Sequence, residues 1–244
     1  MARQLRPRGN SPTATVMLLS AWAVARRAAA VSRPLGGACG VRALSSRAAM
    51  IPGVRRPLAD VVHLDRLEPE PPTAVRAIWE AHHTEAAYVA GAAVDAAEHA
   101  LLSERGAESP FFIFPIHREG GHFTLVSQFA PEKQMFVMTY LEHYKKDPAL
   151  APPWASVTLY DELLHTKQLG LLRAEADADR LTKPEAARLL TQLRHVYATD
   201  AYGSRTTGPW ALNHAERHFN VEEYFQSVKP PPAAAAEPTA GSRD

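Results

Sequence analysis

Ten arginines and no acidic residue occupy the first 56 positions: Arg3, Arg6, Arg8, Arg26, Arg27, Arg33, Arg42, Arg47, Arg55 and Arg56 precede the first carboxylate, Asp60. A folded domain seldom keeps one charge sign over so long a run. An Arg-rich, Ser-containing, acid-free N-terminus has the composition of an organelle transit peptide. Residues 1–44 are therefore read as a cleaved mitochondrial targeting presequence and excluded from fold reasoning. Residues 14–31 suit one amphipathic helix with Arg26 and Arg27 on its polar side. The apolar run inside it, 16–24, is too short for a membrane span, which needs about 20 residues. Two arginines follow that run where a secretory signal would place small residues. Arg42-Ala43-Leu44-Ser45-Ser46 has the pattern of a mitochondrial processing site, with cleavage ahead of Ser45. Ten Arg against five Ser before residue 57 favour a mitochondrion over a plastid.

Cutting there removes seven arginines and no acid, which leaves 20 basic and 26 acidic side chains and a net charge near −6. A nucleic-acid binder needs a basic footprint to neutralise phosphates, and none is present. No arginine-rich amphipathic face remains for a membrane surface. The single cysteine, Cys39, leaves with the presequence. The mature chain then has no disulfide, thiolate nucleophile or thiolate metal site available to it.

Residues 45–56 read as a basic linker and 57–228 as one domain, long enough for a good core. Residues 229–244, KPPPAAAAEPTAGSRD, cannot bury apolar surface and read as a disordered tail. Within the domain, 58–67 reads as a short turn leading to a helix capped by Thr73, with Val75, Ile78 and Trp79 on its apolar face. A short strand is expected at 87–90, then an Ala-rich helix over 91–105 with Val94, Leu101 and Leu102 inward. Residues 110–117 (PFFIFPIH) and 122–129 (HFTLVSQF) read as strands about the turn Arg118-Glu119-Gly120-Gly121. A third strand over 134–141 carries large apolar groups on both faces, so its second face should be covered. Residues 156–160 and 170–175 are weaker strand candidates. Thr182-Lys183-Pro184-Glu185 is a capping box opening a helix that ends near Tyr197. A loop over 200–209 and a helical or irregular segment over 213–225 follow. The pattern predicts a single α+β domain with a central, mainly antiparallel sheet and flanking helices.

The search for chemistry finds little. There is no phosphate loop, no GxGxxG unit, no GxSxG elbow and no HExxH. His214 and His218, four apart, can face one metal on a helix or stand as surface histidines. His117 and His122 flank the Gly-Gly turn, as a cross-strand pair or an acid–base pair. His82-His83 close a helix, where imidazolium suits the dipole. Asp161-Glu162 and Asp177/Asp179 are loop carboxylates without a neighbouring base. Phe111, Phe112 and Phe114 fit a core strand better than a binding surface. No catalytic residue, cofactor or metal site is assigned, and a protein acting by contact is expected.

Several stretches, taken in order, resemble the mitochondrial ATP synthase assembly factor 1 family. These are the Leu58-to-Trp79 region with its Ala-Ile-Trp, the turn carrying Pro115, Arg118, Glu119 and Gly120, the Tyr197-Ala198-Thr199-Asp200 signature, and the Phe219-Asn220 pair. The chain departs from the family in having no proline after Phe-Asn, and in extra Gly and Thr residues over 201–210. The resemblance implies a chaperone of the mitochondrial matrix that binds the free β subunit of F₁ until the α subunit replaces it, with no small-molecule substrate. It places partner contacts on Tyr197, Asp200, Phe219, Asn220 and Phe225. Tyr197 can equally be core packing at the helix end, and Asp200 a turn-forming cap. A subunit awaiting its partner exposes an apolar interface that would self-aggregate, and the second face or the edge of the sheet is the physical candidate for covering it. Two other readings are a small matrix enzyme using His117, His122 and a carboxylate, and a structural subunit retained in the synthase.

Overall fold

The computed structural model describes residues 52–229; the expected presequence, its cleavage site and the tail from residue 230 lie outside the described residues. Six strands, β1 (Val89–Asp95), β2 (Phe111–Arg118), β3 (Gly121–Ala130), β4 (Met135–Tyr140), β5 (Pro153–Tyr160) and β6 (Leu169–Ala176), form one sheet in the order β1-β6-β5-β4-β3-β2. Every neighbouring pair is antiparallel. Strands β2 to β6 are a meander, and the first strand closes the sheet beside the last. Eight α-helices flank it among the described residues: α1 (Leu64–Leu67), α2 (Pro72–Glu85), α3 (Ala96–Glu108), α4 (Leu141–Lys146), α5 (Leu164–Lys167), α6 (Lys183–Ala198), α7 (Pro209–His214) and α8 (Val221–Ser227). The architecture is the α+β domain that the alternation of patterns predicts.

Residues opposite one another in an antiparallel register share a face. Phe112, Ser127 and Met138 share one, as do Phe129, Phe136 and Val157. That first face packs under Leu102 of α3 and under Leu189, Leu190, Leu193 and Val196 of α6, in the main core. The second face carries Ala93, Tyr160, Leu169 and Leu171, which meet Val75 and Trp79 of α2 with Leu58 and Leu67 in a separate cluster. All eight residues of β6 are consequently buried. In β4, Met135, Phe136 and Met138 are buried while Val137 is half-buried, so the apolar second face is indeed covered.

The largest departure from the sequence reading is at β1. Residues 91–95 continue the strand, and the helix begins only at Ala96. Asp95 sets that start by accepting the Glu98 N–H at 2.7 Å, an N-cap that the alanines on either side obscure. Tertiary pairing with β6 overrides the helical propensity of the segment. Gly91 makes the pairing compatible with α2: a Cβ there would stand 2.6 Å from the His83 ring and 2.8 Å from Trp79 Nε1. Gly91→Ala should therefore lower stability by about 1–3 kcal/mol, the cost of overpacking, read as a lower urea midpoint with an unchanged slope. Helix α2 itself starts at Pro72, without a side-chain cap from Thr73. Its buried stripe is Val75, Trp79 and His83, whereas Ile78 is 41% exposed. The capping box does form, with Glu185 accepting the Thr182 N–H at 2.7 Å. The loop expected over 200–209 contains a 3₁₀ turn, Asp200–Gly203, before α7.

Each edge of the sheet carries a side-chain partner. On β2, Asn213 accepts the Phe111 N–H at 3.2 Å and donates to the Phe111 carbonyl at 2.7 Å, copying a strand partner with one side chain. Pro115, two pairs further along the same outward register, has no N–H to offer. On β1, Arg76 donates to the Ala93 carbonyl at 2.6 Å. Asn213→Ala leaves the Phe111 amide and carbonyl without this partner, so a loss of about 1–3 kcal/mol is expected, with faster amide exchange at Phe111 as the local readout.

Candidate functional site

The two signature segments meet in one C-terminal layer over the end of the first face. Tyr197, the last full turn of α6, is completely buried and its hydroxyl donates to the Ser109 carbonyl at 2.8 Å. Burial pushes that phenol well above its ordinary range. Thr199 ends the helix: its hydroxyl donates to the His195 carbonyl at 2.6 Å and accepts the Ala201 N–H at 3.2 Å. Arg105, from α3, donates to the carbonyls of Tyr197 (2.9 Å) and Thr199 (2.8 Å), and lies 4.8 Å from the centre of the Tyr202 ring. A cation thus satisfies orphan carbonyls at a helix C-terminus. The Tyr202 hydroxyl donates to Glu108 at 2.8 Å and lies 2.8 Å from the Ser109 hydroxyl. Burial first, then the Glu108 carboxylate, pushes Tyr202 up to about 12.

Phe219 is buried and meets Phe112 edge-on at 6.0 Å. Asn220 caps α8 by accepting the Glu223 N–H at 3.1 Å, and its own N–H donates to Thr206 at 2.6 Å. That bond ties α8 to the loop after Tyr202. The loop lies tightly on the turn, since a Cβ on Gly208 would be 2.4 Å from the carbonyls of Ala201 and Tyr202. Of the five expected contact residues, Tyr197 and Phe219 are therefore in the core, Asp200 and Asn220 are exposed, and Phe225 is half-buried. Phe225 packs edge-on against His122 of the hairpin at 5.0 Å. Trp210, 36% exposed and tilted against His214 at 5.5 Å, belongs to the same layer.

The other candidates fall elsewhere. His117 and His122 face one another across the hairpin, rings 5.6 Å apart. Burial, then the neighbouring His122, Arg188 and Lys229, lower His117 from its usual value. His83 is buried rather than placed at a solvated helix end, and burial takes it down to about 4. His214 closes α7 while His218 sits in a separate 3₁₀ turn, so they do not share a helix face. Among the described residues no group of three or more His, Cys, Asp or Glu is placed to hold a metal ion. Asp177 accepts from Arg180 and from the Asp179 N–H, and Glu162 lies 3.9 Å from Arg55. Phe111, Phe112 and Phe114 are core, as expected of a strand.

Arg118 of the hairpin turn has a different task. It forks onto Glu185 (2.7 and 3.0 Å) and donates to the Arg180 carbonyl at 2.7 Å, so the hairpin tip and the start of α6 share one carboxylate. Asn213, Arg105 and Ser109 escape a reading of the sequence, because their partners lie about a hundred residues away. A flanking pattern carries no trace of them.

The signature residues thus fasten a C-terminal layer onto an α+β domain and leave Asp200 and Asn220 outward. Residues 39–224 match the family model described as ATP11 protein, and the chain belongs to that family, the F₁-ATPase assembly factor 1 family. Its role is accordingly in assembly of the F₁ part of ATP synthase. No curated protein matches the chain. Among the described residues no helix is long and apolar enough to cross a membrane.

Proposed function

We propose that this chain is a chaperone of the mitochondrial matrix that binds the free F₁ β subunit and keeps it from aggregating until the α subunit takes its place. The observation that carries the reading is the convergence of Tyr197–Asp200 and Phe219–Asn220, both shared with the assembly factor family, in one layer with an outward side. Asp200, Asn220 and Phe225 make the contact. Tyr197 and Phe219 hold that surface from beneath, since buried rings cannot touch a partner. An exposed carboxylate, an amide and a half-buried ring suit a moderate interface that a second subunit can displace.

The combined variant Asp200→Ala, Asn220→Ser and Phe225→Ala tests it, serine keeping the cap on α8. Retention of β subunit from detergent-lysed mitochondria should fall at least tenfold, while the far-ultraviolet circular dichroism stays that of the native fold. Recovery of the whole synthase, or of no β subunit by the unaltered chain, overturns the reading.

A further inference from the structure

The second face of the sheet is crossed by the segment 52–57, and side chains fasten it there. Arg55 donates to the carbonyls of Lys133 (2.7 Å) and Leu159 (3.2 Å), lies 5.4 Å from the centre of the Tyr160 ring, and stands 3.9 Å from Glu162. Arg56 is 3.8 Å from Glu175, a buried acid on β6 that Arg173 also contacts, and its carbonyl accepts the Tyr160 hydroxyl at 3.0 Å. Gly53, at φ +88°, lies so close over β4 and β5 that a Cβ would stand 3.2 Å from Pro153 and 3.6 Å from Val137.

Two features mark this segment as detachable. Its charged anchors are partly exposed, 27% for Arg55 and 37% for Arg56; the Arg55–Glu162 pair is solvated at both ends and individually weak, whereas Arg56 reaches the buried Glu175, which keeps Arg173 when the segment leaves. The main core lies on the opposite face, and these anchors reach it only at the Leu159 carbonyl, so the segment can open as a local unit. What it covers is a strip of β4 to β6 that presents Val137, Pro153 and Tyr160 beside the carboxylates of Glu162 and Glu175. The chemistry that this strip recognises is written in its present occupant: an extended backbone carrying two adjacent cations.

We propose that residues 52–57 are an internal competitor, a strap that lifts to let an extended, Arg- or Lys-bearing segment of the client take the same strip. The proposal rests on the β subunit being the client. Arg55→Gln with Arg56→Gln, in the full chain, loosens the strap without removing a buried group. Hydroxyl-radical labelling of Val137 and Tyr160, the side chains under the strap, should rise at least threefold while that of buried Tyr197 is unchanged, and retained β subunit should increase at least threefold. Adding Glu162→Gln to that variant should reverse the gain, because it removes a carboxylate the client segment would use. Unchanged labelling overturns the proposal, as does increased labelling with equal or lower retention, which would make the strap a closure of the fold and nothing more. An unaltered chain that retains no β subunit overturns the client reading instead, and the labelling then decides on the strap alone.

Discussion

Phe112→Ala should cost about 3–5 kcal/mol, the usual loss for emptying a buried aromatic position. Phe112 is completely buried, and its ring meets Phe114 at 5.5 Å, Tyr197 at 6.3 Å, Phe219 at 6.0 Å and Tyr224 at 4.9 Å. It supports both the Tyr-Ala-Thr-Asp helix end and the Phe-Asn segment. A domain stabilised by about 5–15 kcal/mol would lose a large share of its reserve, and the loss should appear as a lower urea midpoint. Phe112→Leu, which keeps most of the volume, should cost clearly less. Equal effects of the two substitutions would mean that the C-terminal layer does not depend on this ring. Because Asp200, Asn220 and Phe225 are carried by that layer, β-subunit retention should weaken with Phe112→Ala even where the protein is still mostly folded.

Mild acid should destabilise the protein, with His83 as the main cause. Its Nδ1 lies 2.8 Å from the Trp79 carbonyl, so the neutral ring donates there, and burial holds its pKa near 4 against 6.5 for the free side chain. The unfolded chain binds the proton more readily, so this contribution is fully present above pH 6.5 and lost as the pH falls toward 4. The difference is worth about 3 kcal/mol over that window. His99 shifts in the same direction, again through burial. Urea unfolding at pH 7.5, 5.5 and 4.5 should therefore show a falling midpoint, and His83→Gln should flatten the fall. An equally steep profile in that variant would sink the assignment. The Glu185 carboxyl, held below its usual value by Arg118 and Thr182 against the opposing effect of burial, adds its loss only at still lower pH.

The parts of the fold that were legible in the sequence are those governed by local chemistry. Thr182 and Glu185 sit three residues apart and form the box that their spacing announces. The two glycines after Arg118-Glu119 turn the hairpin with positive φ at Gly120 and an extended Gly121. Strand β1 was legible only at its start, because Ala92 and Ala93 read as the opening turn of a helix and only pairing with β6 carries the strand on to Asp95. The same holds for the C-terminal layer. Its signature residues could be named from their neighbours, but which of them face outward is decided by Ser109, Arg105 and Phe112, far away in the chain. Arg55 and Arg56 read as the end of a basic linker. Their bonds to Lys133, Leu159 and Glu175 belong to tertiary structure, which charge composition does not register.

The partnered edges of the sheet bear on how such a protein avoids being consumed by its own work. An open strand edge is a template on which an incomplete chain can continue a ladder, and a growing ladder is hard to undo. Here an incoming strand meets the Asn213 amide and Pro115 on one side and the Arg76 guanidinium on the other. On the proposed reading, a client is held by separate contacts rather than by a shared ladder, and a competing subunit can exchange them one at a time. On that reading Asn213 and Arg76 serve turnover, because the chain leaves each encounter unextended and ready for the next.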